Sequence, residues 1–169
     1  MDIHSHFLPQ FIKMLRNLDA WLGSGLELAE RKKFDADVLL SLRLAPDQFA
    51  LVRQVQSACD TAKLTLARLA GKDAPAHADT ETTLAQLRER IANVTGWLES
   101  LTAADFAGAE DRHVNAPWMQ GKWANGTDYL VEYGLPNFYF HVVSAYSILR
   151  HAGAELGKRP YLGRVNLHD

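Results

Sequence analysis

Four long segments of this chain repeat apolar residues at helical spacing, and that periodicity constrains the fold more than any other feature. The third segment is the clearest, because its apolar residues recur at intervals of three and four from Leu84 to Leu101, which places them on one face of a helix. Similar stripes predict helices at about residues 2–22, 46–70, 80–101 and 127–152. Alternating runs typical of a strand are no longer than a few residues.

Turn and cap residues set the predicted ends of these helices. Gly23 and Gly25 are predicted to end the first helix, since glycine is common just past a helix C-terminus. Pro46 suits the first position of the second helix, where its missing N–H has no partner to lose. Asp79 or Thr80 offers a side-chain oxygen that could cap the third helix.

Two connections are longer than a tight bundle turn requires. Residues 26–45 separate the first two helices, and residues 107–126 separate the last two. We call the second connection the Trp-rich segment, because it contains Trp118 and Trp123, and its composition predicts an ordered excursion. This arrangement predicts an all-α four-helix bundle formed as one domain by residues 1–169. The fourth helix, which apolar residues nearly encircle, is predicted to be the most buried.

Composition excludes several classes of protein. With 169 residues, 47% of them hydrophobic, and a net charge of −2, the chain is neither disordered nor basic enough to bind nucleic acid. The fourth segment contains Glu132, Asn137 and His141, which argues against a membrane span. The single cysteine, Cys59, cannot form an internal disulfide, and the N-terminus lacks the basic and apolar regions of a secretion signal. We therefore predict a cytoplasmic protein.

The first candidate for metal chemistry is the N-terminal Asp-x-His-x-His motif formed by Asp2, His4 and His6. In metal-dependent hydrolases of the barrel type, such a motif lies on a strand whose alternate side chains point to one metal. This chain is shorter than the about 250 residues of such a barrel. On a helix, the two histidines would point about 200° apart. We therefore predict two surface histidines that do not share a metal ion.

The second candidate lies on the fourth helix, where Asn137 and His141 are four residues apart on one face. In a buried helix both side chains would need hydrogen-bond partners. The second helix can supply them, because it contains Gln54, Gln56 and Asp60. Two interpretations stay open: a hydrogen-bonded structural network, or a polar pocket between the second and fourth helices that binds a ligand.

Several short motifs together resemble one group of proteins. The sequence Leu-Pro-Asn-Phe-Tyr-Phe-His at residues 135–141 is similar to the last helix of the DinB/YfiT-like four-helix-bundle superfamily. The chain further resembles one uncharacterised bacterial branch of that superfamily, a family of unknown function, at residues 45–47, 53–56, 59–60, 67–71, 81–83 and 157–159. The resemblance spans nearly the whole chain. It implies the same bundle fold and, because relatives of this kind often pair, a homodimer.

The resemblance also bears on metal binding. Many members of the superfamily hold a divalent metal with three histidines, one on the second helix and two on the fourth. The resemblance places His141 at one of these positions, with Asn137 and Gln54 at the other two. Because amide oxygens are poor ligands for nickel or zinc, the resemblance implies a degenerate site without a cofactor. Nickel or zinc held at His141 is the alternative.

These observations support three functional hypotheses. The first is a small-molecule-binding or vestigial protein whose pocket contains Gln54, Asn137 and His141. The second is a divergent metal- or thiol-cofactor-dependent transferase or hydrolase that uses His141. The third is an interaction protein that docks through the Trp-rich segment. The metal content of the purified protein distinguishes the first two hypotheses.

Overall fold

The computed structural model describes residues 2–167, and helices dominate this part of the chain. The helices are α1 (Leu8–Lys32), α2 (Leu51–Ala70), α3 (Leu84–Glu99), α4 (Leu135–Ala152) and the short α5 (Lys158–Leu162). Within residues 2–167, the only β pairing is a single bridge between Val114 and Ala124. The predicted all-α four-helix bundle is therefore confirmed.

The first helix is longer than its sequence pattern predicts. A π-helical turn at Ile3–Phe7 leads into α1, which continues past both Gly23 and Gly25. Gly25 is buried, and a Cβ atom there would lie 3.2 Å from the Leu39 side chain and 3.3 Å from Leu149. The prediction that these glycines end the helix is wrong. Gly25 lies inside the helix, where the absence of a side chain allows Leu39 and Leu149 to pack closely against it.

The second and third helices begin later than predicted. Pro46 belongs to a turn, closed by a 3.1 Å hydrogen bond from the Gln48 N–H to the Ala45 carbonyl, and a turn favours the same fixed proline φ as a helix start. Helix α3 begins with a capping box, in which the Thr83 hydroxyl accepts from the Gln86 N–H at 3.2 Å and the Gln86 side chain accepts from the Thr83 N–H at 3.1 Å. The helix is therefore capped at Thr83 and not at residue 79 or 80, because these two reciprocal hydrogen bonds satisfy backbone N–H groups at its start.

The fourth helical stretch contains a change of pitch. One α-helical turn at Gly126–Asp128 leads into a π-helical segment at Tyr129–Gly134, which continues directly into α4. At the junction, a Cβ atom on Gly134 would lie only 2.5 Å from the Thr65 side chain of α2. Glycine therefore allows the two helices to approach closely at this point.

Helix α2, not the fourth helix, is the most buried of the four. It packs between α3 and α4, and its most extensive contact is with α4. On the outer face of α4, Phe140 is 58% exposed and Val143 is 42% exposed. The prediction that the fourth helix is the most buried is wrong. Apolar residues encircle this helix, but those on its outer face remain exposed to solvent. Across residues 2–167, no helix is long and apolar enough to cross a membrane.

The Trp-rich segment folds into an ordered excursion, as predicted. The backbone groups of Val114 and Ala124 exchange two hydrogen bonds, of 2.9 and 3.0 Å. Trp118 and Trp123, at the tip of this excursion, remain 52% and 56% exposed. The excursion ends at Gly126, where an added Cβ would collide with the carbonyl oxygen of Ala109 at 1.8 Å.

Candidate functional site

A polar cleft opens between α2 and the fourth helical stretch, and its volume is about 180 Å³. Its walls include Ser57, Thr61 and Thr65 from α2, and Tyr133, Asn137 and His141 from the facing side. Hydroxyl, amide and imidazole groups therefore line a space enclosed by two packed helices. The cleft is smaller than the roughly 300–1,000 Å³ of most ligand pockets and more polar, so it has room for a small polar molecule.

The two walls of the cleft run antiparallel, and cross-helix contacts fix their register. From one end of the cleft to the other, the contacting pairs are Gln54 with His141, Thr61 with Asn137, Thr65 with Gly134, and Arg68 with Tyr129. Each step along α2 is matched by a step in the opposite direction along the fourth stretch. The His141 end and the Arg68 end therefore form opposite ends of one groove.

His141 is held in one orientation by the buried side chain of Gln54. The Nδ1 atom of His141 lies 2.8 Å from the Gln54 Oε1 atom, while the Gln54 Nε2 group donates to the Phe49 carbonyl at 3.2 Å. Because an amide oxygen can only accept, the proton is on Nδ1 and the lone pair is on Nε2. Burial, followed by the charge of Arg53, lowers the pKa of His141 below its ordinary value of 6.5. The imidazole is therefore neutral at pH 7.

Asn137 lines the same cleft but does not contact the imidazole. Its Nδ2 group donates to the Thr61 hydroxyl at 3.0 Å and to the Tyr133 hydroxyl at 3.5 Å. The imidazole therefore has one amide partner, Gln54, and does not lie between two amides, because Thr61 lies opposite Asn137 and accepts from its Nδ2 group.

The donor set in this cleft does not suit a transition-metal ion. A tight site needs three or four good donors, but His141 is the only imidazole among the described residues that line the cleft. The Oε1 atom of Gln54 is occupied by the His141 Nδ1–H, and the Asn137 amide group points its donor at Thr61. Throughout residues 2–167, no group of three or more His, Cys, Asp or Glu side chains is placed to hold a metal.

Two of the charged residues in the cleft wall are neutralised by partners outside it. The Asp60 carboxylate accepts from Arg90 at 2.7 Å and from Lys63 at 2.9 Å. Arg53 forms an ion pair with Asp79 in the connection between α2 and α3. The charges of Asp60 and Arg53 are therefore already compensated by protein partners and do not need a charged group on a ligand.

A buried ion network beside the cleft is the feature that sequence reasoning missed. The side chain of Arg90 is 1% exposed and donates to Asp79 at 2.6 Å and to Glu81 at 2.9 Å, as well as to Asp60. The network therefore ties the connection between α2 and α3 to both helices through ion pairs. One sequence signal could have revealed it, because Arg90 falls three residues after Leu87, on the apolar stripe of the third helix.

His77 extends this network from the connection. The Lys63 ammonium group, whose side chain is 5% exposed, donates to the His77 Nδ1 atom at 2.7 Å. Burial, together with the charges of Lys63 and Arg90, lowers the pKa of His77. Its imidazole is therefore a neutral acceptor for a buried cation.

The N-terminal Asp-x-His-x-His motif forms a helix start. The Asp2 carboxylate accepts from the His4 N–H at 2.9 Å and from the Ser5 hydroxyl at 2.6 Å. His6 is exposed and contacts the Asp2 carbonyl at 3.1 Å. These contacts give Asp2 the role of a helix cap, and the motif does not converge on an ion.

The remaining candidates lie outside the cleft or are chemically inert. Cys59 is fully buried, and burial raises the pKa of its thiol to about 12, which leaves almost no thiolate at pH 7. His113 stacks on Trp123 with ring centroids 3.7 Å apart, and Trp118 stacks on Tyr133 at 4.5 Å. Only the second of these stacks joins the Trp-rich segment to the cleft wall.

Comparisons with known proteins agree on the family of this chain. Residues 3–162 match the family described as a domain of unknown function, DUF1993. The crystal structure of a DinB family member protein from Shewanella denitrificans is similar, with 50% sequence identity and a TM-score of 0.94, covering 99% of this chain and 95% of that one. No protein of curated function matches the chain. Because the family match spans residues 3–162, the chain belongs to DUF1993, an uncharacterised DinB-like family.

Proposed function

We propose that this protein binds a small polar molecule in the cleft between α2 and α4. The observation that carries the proposal is the state of His141. His141 lines the cleft, Gln54 holds the Nδ1 side of its ring, and Nε2 has no protein partner among residues 2–167. A neutral imidazole fixed in this way presents one hydrogen-bond acceptor at a defined position, as a specific binding site requires.

Other polar groups along the cleft support the same proposal. The Ser57 hydroxyl and the Asn137 Oδ1 atom also line the cleft without a hydrogen-bond partner in the described part of the chain. A protein that needed only a stable core would gain by filling this space with apolar side chains. We regard the site as a degenerate form of a three-histidine metal centre, in which Gln54 and Asn137 replace metal ligands with hydrogen-bonding amides.

An enzymatic role is the alternative, and one observation favours it. An oriented neutral imidazole with a free Nε2 atom can act as a general base when a substrate places a proton within reach. Cys59 is fully buried, and within residues 2–167 the Ser57 hydroxyl of the cleft wall makes no hydrogen bond to the His141 imidazole. In this arrangement, turnover would use a nucleophile carried by the substrate or by a cofactor such as a small thiol.

Ligand binding is tested with a variant that fills the cleft. Ser57→Phe places a large ring in the space, whereas Ser147→Phe adds the same ring at a half-buried serine of α4 that does not line the cleft. A library of small polar fragments is screened by ligand-observed NMR, and hits are mapped by amide shifts. We expect hits that shift His141 and Asn137, survive Ser147→Phe and disappear with Ser57→Phe. Hits that ignore Ser57→Phe, or an empty screen, would count against the proposal.

Assembly into a homodimer is the second part of the proposal. Phe140 and Val143 lie three residues apart on the exposed face of α4, and an exposed apolar face of this kind favours contact with a second copy. Light scattering coupled to gel filtration should give twice the 18.9 kDa chain mass, and Phe140→Ser should shift the equilibrium toward one copy.

A reducing, cytoplasmic location agrees with the single buried thiol of Cys59.

A further inference from the structure

One end of the cleft has a positive charge without a negative partner. Asp60 and Arg53 are paired with residues outside the cleft, but Arg68 takes part in no ion pair within residues 2–167. The only hydrogen bond of its side chain there joins Nη1 to the Tyr129 hydroxyl at 2.8 Å. A half-buried guanidinium group between two helices gains most from a carboxylate or another anion that reaches it.

The groups around Arg68 are hydrogen-bond donors that lack acceptors. The other N–H groups of Arg68 and the O–H of Tyr129 have no acceptor among the described residues. Thr65 lies three residues before Arg68 on the same face of α2, and its buried hydroxyl has no hydrogen-bond partner. The Arg68 guanidinium group and the Tyr129 hydroxyl, 2.8 Å apart, therefore lack an acceptor at this end of the cleft, whereas buried polar groups are normally paired.

We propose that the Arg68 end of the cleft binds a carboxylate group of the ligand, recognised by the Arg68 guanidinium group with the Tyr129 hydroxyl beside it. This inference rests on the proposed function, because it identifies the chemical class of the molecule that the cleft takes. A carboxylate matches the uncompensated charge and the planar fork of the Arg68 guanidinium group. A phosphate carries a charge of about −1.5 to −2, and among the described residues of the cleft it would find only one cation without an ion pair.

The length of the groove defines the rest of the ligand. Gln54 and Arg68 are about 21 Å apart along the axis of α2 at about 1.5 Å per residue. The long side chain of Arg68 shortens that gap, because helical side chains lean toward the N-terminus. A ligand that also reached the Nε2 atom of His141 would need a hydrogen-bond donor at the end opposite its carboxylate. A ligand that reached both ends would be a chain-like carboxylate with a terminal hydroxyl or amine.

The test compares charged and neutral forms of the same probes. The ω-hydroxycarboxylates glycolate, 4-hydroxybutanoate and 6-hydroxyhexanoate are titrated beside their neutral amides and beside inorganic phosphate, with NMR shifts and calorimetry as readouts. Arg68→Gln removes the charge, and Arg68→Lys keeps it. The matched control is Arg150→Gln, because Arg150 also donates to a tyrosine hydroxyl, that of Tyr146 at 3.1 Å, but lies outside the cleft.

We expect at least one carboxylate to bind more tightly than its amide, by on the order of ten- to hundredfold. Arg68→Gln should abolish that preference, while Arg68→Lys and Arg150→Gln should keep it. Equal binding of carboxylate and amide, lost in Ser57→Phe, would overturn the carboxylate inference and leave the proposed function intact. Phosphate binding more tightly than every carboxylate would also overturn it. Binding of none of these probes at millimolar concentration would contradict both.

Discussion

At the scale of single residues, the partners of His141 decide what the cleft can do. A histidine at position 54 could point a second nitrogen at a metal, whereas Gln54 accepts the Nδ1–H of His141 at 2.8 Å. The same contact that removes a ligand also fixes the tautomer of the ring, so that Nε2 is the free acceptor. An amide at position 54 therefore favours hydrogen bonding to His141 over metal binding.

Metal content gives a direct check of this argument. Protein purified without added metal should contain well under one equivalent of nickel, zinc or iron, because one imidazole and two amides form a weak donor set. Elemental analysis measures this. The double variant Gln54→His with Asn137→His should then bind zinc or nickel, if the backbone places all three side chains around one point. A stoichiometric ion in the unaltered protein that His141→Ala removes would reverse the conclusion.

Loss of the imidazole should also destabilise the fold. His141→Ala leaves the buried Gln54 Oε1 atom without its donor and opens a cavity, so the free energy of unfolding should fall by roughly 1–3 kcal/mol. Chemical denaturation provides the measurement. His151→Ala, on the exposed side of α4, is the control, and its effect should stay within about 0.5 kcal/mol. A similar effect of both variants would show that the Gln54 contact adds nothing to stability.

Sequence reasoning predicted part of the candidate site and missed the rest for physical reasons. Helical spacing placed Asn137 and His141 on one face, because backbone periodicity fixes which residues share a face, and the family resemblance added Gln54. The direction of the Asn137 amide depends on Thr61, which lies 76 positions away in the sequence. Contacts of such long range leave no periodic signal, so the partner of Asn137 required the structure.

At the scale of helices, the register between α2 and the fourth stretch depends on one small residue. Periodicity predicted that both helices exist, but it could not show how closely they approach. Gly134 lies where the π-helical segment joins α4, against the Thr65 side chain. Because an extra methyl group at this point would push the helices apart, the width of the cleft depends on this contact.

Two glycine variants test that statement. Gly134→Ala should destabilise the protein by roughly 1–3 kcal/mol, since the new Cβ would lie 2.5 Å from Thr65 Cγ2. Gly96→Ala in α3 is the matched control, because nothing lies within 4 Å of its added Cβ. The control should stabilise the protein by about 0.5–1 kcal/mol through helix propensity. Thermal or denaturant unfolding shows both signs, and stabilisation by Gly134→Ala would refute the close contact.

The buried network of Arg90 makes a second prediction about how elements are joined. Arg90→Leu should remove a partner from Asp60, Asp79 and Glu81 at once, and breaking a buried ion pair in this way costs about 3–5 kcal/mol. Arg88→Leu, two residues earlier, breaks a pair with Asp19 whose side chains are 41% and 33% exposed, and should cost about 0–1 kcal/mol. Denaturant unfolding of the two variants compares them directly. Equal losses would show that burial of Arg90 has no energetic consequence.

At the scale of the whole molecule, stability should depend on the two neutral histidines. His77 and His141 occupy different sides of α2, and burial lowers the pKa of each below the ordinary 6.5. The unfolded chain therefore binds more protons than the folded protein as the pH falls below about 6.5. Proton uptake by the unfolded state then lowers the free energy of unfolding, whereas above that pH both states are neutral at these rings and the stability is fully present.

We expect the free energy of unfolding to decrease between pH 7 and pH 5, before the carboxylates contribute. The pKa values of Asp79 and Glu81 are lowered below 3.8 and 4.5, so their stabilising effect is lost only as the pH falls further. Denaturant unfolding at a series of pH values should show a smaller decrease between pH 7 and pH 5 in the double variant His77→Gln with His141→Gln. His151→Gln should follow the unaltered protein. If the double variant keeps the full decrease, other groups cause the pH dependence and these two imidazoles are not held neutral by the fold.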